Sequence, residues 1–130
     1  MKNRKKAKSF RILKRDLDKV FSIYIRKRDT NAEGYGHCIT CTAWSKLQCG
    51  HFIKRQHLVT RWVETNAAGQ CARCNHFLHG NEGAFCMALI KKHGQEHIDK
   101  LLSLKHTSAK FTRDTLTMMI DSYRKCTEAL

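Results

Sequence analysis

Proline is absent from the 130 residues, and there is no low-complexity tract and no convincing internal repeat. Without such segments nothing marks a linker, and a chain of this length suits one domain with one modest hydrophobic core. No stretch approaches the roughly 18 consecutive apolar residues of a membrane span, so no membrane partner is expected. The basic start, Lys2 to Lys8, is not followed by an apolar stretch or a small-residue cleavage site, which argues against a secretory signal. The expected location is therefore the cytoplasm. Acid is also scarce: residues 1–15 contain none, and the whole chain has 11 acidic residues.

Against those 11 stand 25 Lys and Arg, for a formal charge of +14 and a pI near 9.8. A surface this positive repels itself unless an anion neutralises it, and extended polyphosphate is the usual partner. The block that includes Lys5, Lys6 and Arg11 reads as a mobile arm on a phosphate backbone, with an ordinary solubilising tail as the alternative. From about Ile12 to Arg28, apolar residues including Leu13, Leu17, Val20, Phe21 and Ile25 recur at helical spacing. Asn31 to Gly36 reads as loop. Lys46 to Ile53 could form one strand of a hairpin whose return reaches toward Gln70. A short helix is expected near Cys74, followed by helices over Ala84 to His93, Gln95 to Leu104, and Thr112 to about Thr127. Gly94 would end the first of these, and Thr112 would cap the last. The fold class is α+β: a basic arm at 1–11, a helix at 12–29, a Cys/His-rich core at 37–81 and a helical part at 82–130.

Seven cysteines are present. Cys38-Ile39-Thr40-Cys41 and Cys71-Ala72-Arg73-Cys74 are two C-x-x-C pairs separated by 29 residues. Two thiolates three positions apart can bind one tetrahedral Zn²⁺ from the same side, and a second pair completes a four-sulfur shell. One such pair alone could be a redox couple; two in a small chain favour metal. A closed shell has no open position, so this zinc would be structural. Cys86 reads as a core thiol, Cys126 as a residue without a specific task, and Cys49 as undecided.

Between and after these pairs lie Cys49-Gly50-His51, Asn66, Cys74-Asn75 and His79-Gly80-Asn81. This stretch resembles the HNH (ββα-metal) endonucleases, which place a His on the first hairpin strand and an Asn in the hairpin loop. A metal-binding His or Asn follows nine residues later at a helix start, and Asn66 and Asn75 are nine apart. Over a longer stretch the chain is similar to the phage NinG/Rap family. The shared features include an Arg-aromatic pair like Arg61-Trp62 and a helix like Ile90 to Ile98 with Gly94-Gln95-Glu96. The resemblance implies a small zinc-stapled ββα-metal core flanked by helices, and a metal-dependent endonuclease acting on branched DNA such as Holliday junctions and D-loops.

By the same resemblance, His51 is the general base, Asn66 braces the hairpin, and Asn75 is a ligand of a catalytic Mg²⁺ or Mn²⁺, with helix capping as its competing role. His79, four residues on, would lie one helical turn away as a further ligand. Many HNH enzymes carry an acidic or His ligand just before the base. Here that residue is Gly50, so the ion would draw on His79, Cys49, His57 or more waters. Lys54, Arg55 and Arg61 are candidate phosphate clamps, and His57 a further phosphate contact. Trp62 reads as core rather than a stacking platform. A non-catalytic zinc-stabilised nucleic-acid-binding module is the competing class, and a homing or restriction-like enzyme is a third reading. Two coordinated nicks at a junction would suit a homodimer.

Overall fold

The computed structural model describes residues 6–130; the part of the basic arm that includes Lys5 lies outside the described residues. Five helices and a small antiparallel sheet follow in the order α1 (Phe10–Asp29), β1 (Tyr35–His37), β2 (Trp44–His51), α2 (Leu58–Arg61), β3 (Ala67–Cys71), α3 (Glu82–His93), α4 (Gln95–Lys105) and α5 (Arg113–Glu128). A 3₁₀ turn, Glu64–Asn66, leads into β3, and a single π turn, Arg73–Phe77, leaves it. Among the described residues, no helix is long and apolar enough to cross a membrane.

Helix α1 forms where the apolar spacing demands it, but it begins earlier than the pattern suggests. The Ser9 hydroxyl accepts the Ile12 N–H at 3.2 Å and caps the first turn, satisfying a donor that has no partner within the helix. Arg11, read as part of an extended arm, therefore stands exposed on the helix. Arg26, Lys27 and Arg28 in the last turn complement the negative end of the helix dipole. Leu13, Leu17, Val20, Phe21 and Ile25 form one stripe that packs with Leu116 and Ile120 of α5, Trp62 and Ala67. Helix α5 starts in a reciprocal cap between Thr112 and Thr115.

Strand β2 is central, with β1 and β3 on either side. The registers set Tyr35 opposite Lys46, His37 opposite Trp44, Cys49 opposite Gly69 and His51 opposite Ala67. All five residues of β3 are buried, because alternate side chains meet different layers. Ala67 packs in the α1–α5 cluster, whereas Ala68 packs with Phe52, Ile53, Phe85, Leu89, Ile98 and Leu101 of the α3–α4 side. Strand β1 was not expected, since Gly34 and Gly36 mark its segment as loop. Gly36 instead permits close approach, because a Cβ there would stand 2.3 Å from the Asp29 carbonyl oxygen. Asp29 anchors α1 to the sheet: its carboxylate accepts the Gly69 N–H at 2.7 Å and the Arg28 guanidinium at 2.8 and 2.9 Å.

Candidate functional site

The four cysteines of the two C-x-x-C pairs converge. Cys38 and Cys41 lie in the β1–β2 connection, Cys71 ends β3 and Cys74 lies in the π turn. Their sulfurs are all within 4.8 Å of one another, and Cys41 Sγ and Cys71 Sγ are 3.7 Å apart. Tetrahedral zinc with Zn–S of about 2.3 Å needs sulfurs about 3.8 Å apart, so this cluster could hold a metal ion such as zinc with little adjustment. Burial opposes ionisation of Cys38, but the Thr40 hydroxyl and the backbone N–H groups of Cys41, Cys71 and Thr40 outweigh it and lower the thiol to about 6. The neighbouring thiols push Cys41 up, and burial pushes Cys71 up, so without an ion the cluster favours a single thiolate, and metal uptake releases the remaining protons. Asn81 Nδ2 lies 3.7 Å from Cys74 Sγ and ties the start of α3 to the cluster.

Beside the cluster, His51 ends β2 and borders an open pocket of about 620 Å³ with Asp18, Gln48, Lys54, Arg55 and Asn75. The imidazole is half-buried against the Phe21 ring, at 5.7 Å between centroids. Its Nε2 is 2.9 Å from the Arg61 carbonyl oxygen. A carbonyl can only accept, so Nε2 carries the hydrogen in the neutral ring and Nδ1 keeps the lone pair. Burial pushes the His51 pKa down to about 4, and the ring is neutral near pH 7.

Asn66 links the segment after β2 to the turn before β3. It is fully buried. Its Oδ1 accepts the Ile53 N–H at 2.9 Å, and its Nδ2 donates to the carbonyls of Ile53 at 3.1 Å and Thr60 at 3.0 Å. Its backbone carbonyl accepts the Phe52 N–H at 2.9 Å. The residues just after His51 are thereby locked to the turn before β3.

On the far wall, Asn75 lies inside the π turn, whose cap position is Ala72; a capping role for Asn75 is thus not what the backbone offers. Its Nδ2 donates to Gln48 Oε1 at 2.9 Å, which leaves Oδ1 as the free donor atom toward a cation. His79 departs from expectation. The helical turn stops at Phe77, and His79 takes a left-handed backbone with φ 51°, so it is not one turn above Asn75 on the same face. Both residues nonetheless border a second, shallow pocket with Lys54, His76 and Phe77.

The basic candidates separate. Lys54 Nζ donates to the His79 carbonyl at 2.7 Å, Arg55 is largely exposed, and Lys6 and Arg11 are exposed elsewhere. Arg61, expected as a clamp, is already engaged: its Nε donates to Asp18 Oδ1 at 2.9 Å and its Nη2 to Oδ2, while Trp62 Nε1 reaches the same carboxylate at 2.9 Å. Asp18 was not singled out in the sequence. By holding Arg61 and Trp62 it fixes the carbonyl that orients His51, from a helix more than 40 residues away in sequence. Its only sequence signal is an acid beside the buried stripe, one of three on a predominantly basic helix.

Substitute ligands near Asn75 for an expected ion are few. Burial raises the Cys49 thiol to about 12, and His57 takes the N-cap position of α2, without a side-chain cap bond, and does not border the His51 pocket. Gly50 cannot be supplemented easily, because a Cβ there would stand 2.1 Å from Gln70 Oε1. Gln70 is fully buried, its Nε2 donates to the Gly80 carbonyl at 2.8 Å, and Oε1 has no hydrogen-bond partner. The donor set is therefore Asn75 Oδ1 with a neutral imidazole nearby and no unpaired carboxylate. Mg²⁺ is usually bound through carboxylates together with substrate phosphates and retained waters, so these residues suit an ion that arrives with phosphate.

A family model described as Bacteriophage Lambda NinG protein matches residues 1–130. No curated protein and no solved structure matches the chain.

Proposed function

The chain belongs to the bacteriophage lambda NinG family, and from that premise we propose that it is a metal-dependent endonuclease of HNH type that cuts branched DNA. The observation that carries this reading is His51: a neutral imidazole with its proton assigned to the Arg61 side, bordering a pocket with Lys54, Arg55 and Asn75. The formal charge of +14 supports a polyanionic substrate.

In this mechanism the scissile phosphate sits between Lys54, Arg55 and Asn75, and Nδ1 of His51 takes a proton from the attacking water. The water oxygen bonds to phosphorus as the bond to the 3′ oxygen breaks, and that oxygen leaves with a proton from solvent. Asn75 would hold a Mg²⁺ or Mn²⁺, which would supply charge stabilisation in the reaction. His51 is a weak base at a pKa of about 4; the arriving phosphate favours its protonated form and raises its basicity. Arg61, Asn66 and Asp18 are positioning residues. Zinc in the four-cysteine site is structural, since a closed sulfur shell has no place for substrate.

A second reading, a zinc-stabilised nucleic-acid-binding module without catalysis, is favoured by one observation: Gln70 fills the space that a ligand at position 50 would use. A nicking assay on plasmid and branched DNA, with Mg²⁺ or EDTA, decides between them. The expected outcome is metal-dependent cleavage, reduced about 10²–10⁴-fold by His51→Ala, with zinc content and DNA binding retained. An inert wild type supports the module; a His51→Ala protein that cuts at the wild-type rate refutes the assignment of His51 as base.

A further inference from the structure

At the opposite end of β2 from His51 lies an open groove of about 500 Å³ along the edge strand β1. Its aromatic side is unusual. Trp44 is 57% exposed and Tyr35 41% exposed, although large aromatic side chains ordinarily bury most of their surface. Trp44 is held in place: its ring meets His37 edge to face at 5.1 Å, and His37 Nδ1 is 2.9 Å from the Thr42 carbonyl oxygen. Across the groove stand Lys92 at the end of α3 and Arg28. Lys46 faces Tyr35 in the sheet register. The acid at the groove, Asp29, is occupied by Arg28 and the Gly69 N–H. Between Asp29 and Glu64 the sequence holds one other acid, Glu33.

We propose that this groove binds an unpaired nucleotide, whose base stacks on Trp44 while Lys92 and Lys46 meet the flanking phosphates. Exposed, pre-oriented aromatic rings among cations are what sequence-tolerant binding of single strands requires, because every base presents a π face. Charge complementarity selects a nucleic acid over an apolar peptide, and duplex bases, already stacked, cannot occupy such a platform. Trp44 and His51 are seven residues apart on one strand, about 23 Å at 3.3 Å per residue, and this odd interval points their side chains to opposite faces of the sheet, so the groove is a site apart from the His51 pocket. The inference takes its ligand class from the nucleic-acid reading above but does not depend on cleavage.

The chain has two tryptophans, and Trp62 is buried, so a Trp62→Phe protein reports Trp44 emission alone. Titration with a short oligothymidylate, without added Mg²⁺ or Mn²⁺, should quench that emission strongly, and a blunt duplex of equal length should quench it weakly. Binding followed in parallel by anisotropy of a labelled oligonucleotide should weaken about tenfold for the single strand in Trp44→Ala. It should change less than twofold for the duplex, and Trp44→Phe should keep most of the affinity. Unchanged emission at saturation, equal quenching by duplex, or an unaltered Trp44→Ala affinity would each overturn the proposal. A protein that shows the quenching but never nicks DNA would refute the nuclease reading while sustaining this one.

Discussion

The two walls of the His51 pocket are built on different principles. The wall made by His51 and Asp18, with Asn66 buried behind it, is held by hydrogen bonds that reach back into buried structure, and His51 lies against Phe21 of the α1–α5 core. The wall that begins at half-buried Asn75 continues into a turn exposed from His76 to His79, and three consecutive residues, His79, Gly80 and Asn81, have positive φ. Its support comes from below, from Cys71 and Cys74. One wall draws its order from packing, the other from the sulfur cluster. A proton acceptor must be fixed before substrate arrives, whereas a wall that receives phosphate with its ion can complete itself on binding.

Removing zinc should break the comparison most forcefully. Structural zinc contributes about 10–16 kcal/mol of apparent binding free energy in small domains at neutral pH. Chelation or Cys71→Ser should therefore abolish amide-exchange protection around Cys38–Cys41 and Cys71–Asn81, while α1 and α5 retain theirs longer. Simultaneous loss in all segments would show that the two walls share one source of order. About one zinc per folded chain should be found by elemental analysis.

Paired alanine substitutions give a finer test. Asn66→Ala leaves the Ile53 N–H and the Ile53 carbonyl without partners, whereas the Thr60 carbonyl keeps the Val63 N–H. At about 1–3 kcal/mol for each buried unsatisfied group, the loss of stability should be about 2 kcal/mol or more in denaturant titration. Asn75→Ala removes one bond to exposed Gln48 and should cost less than about 1 kcal/mol. Equal costs would erase the distinction drawn here.

Acid should reach the packed wall through His51. Its folded pKa of about 4 lies below the ordinary 6.5, so over that window the unfolded chain binds more protons. The associated stability is fully present above about pH 6.5 and is lost as pH falls toward 4, by about 3 kcal/mol in total. Denaturation midpoints measured across this window should show the loss, and His51→Gln should flatten it. A wild-type profile flat over the same window would mean that the ring is not desolvated.

Much of this arrangement was legible because local patterns carry it. The C-x-x-C spacing alone named all four sulfurs, and the apolar stripe and the Thr112 cap located α1 and α5 to within a few residues. The nine-residue interval singled out Asn66 and Asn75, and in the folded chain Asn66 is buried and hydrogen-bonded to Ile53 and Thr60. What stayed hidden depends on distant partners. Asp18 acquires its task only from Arg61 and Trp62, more than 40 positions away, and the same pairing removes Arg61 from the free cations. Strand β1 was concealed by glycines that serve close approach rather than a turn. Trp44 drew no notice because exposure at that position becomes visible only once the hairpin register is known.

The contact between Gly50 and Gln70 constrains how this site can change by mutation. A ligand introduced at position 50 alone would drive a Cβ into the Gln70 amide, so Gly50→Asp is expected to damage the sheet before it can assist an ion. Shortening residue 70 first opens the space, and the two changes are tolerated in one order and not the other. Such sign dependence between neighbouring substitutions, rather than any property of Gly50 itself, would keep a lineage with this pair from drifting to the acid-bearing form of the motif one step at a time.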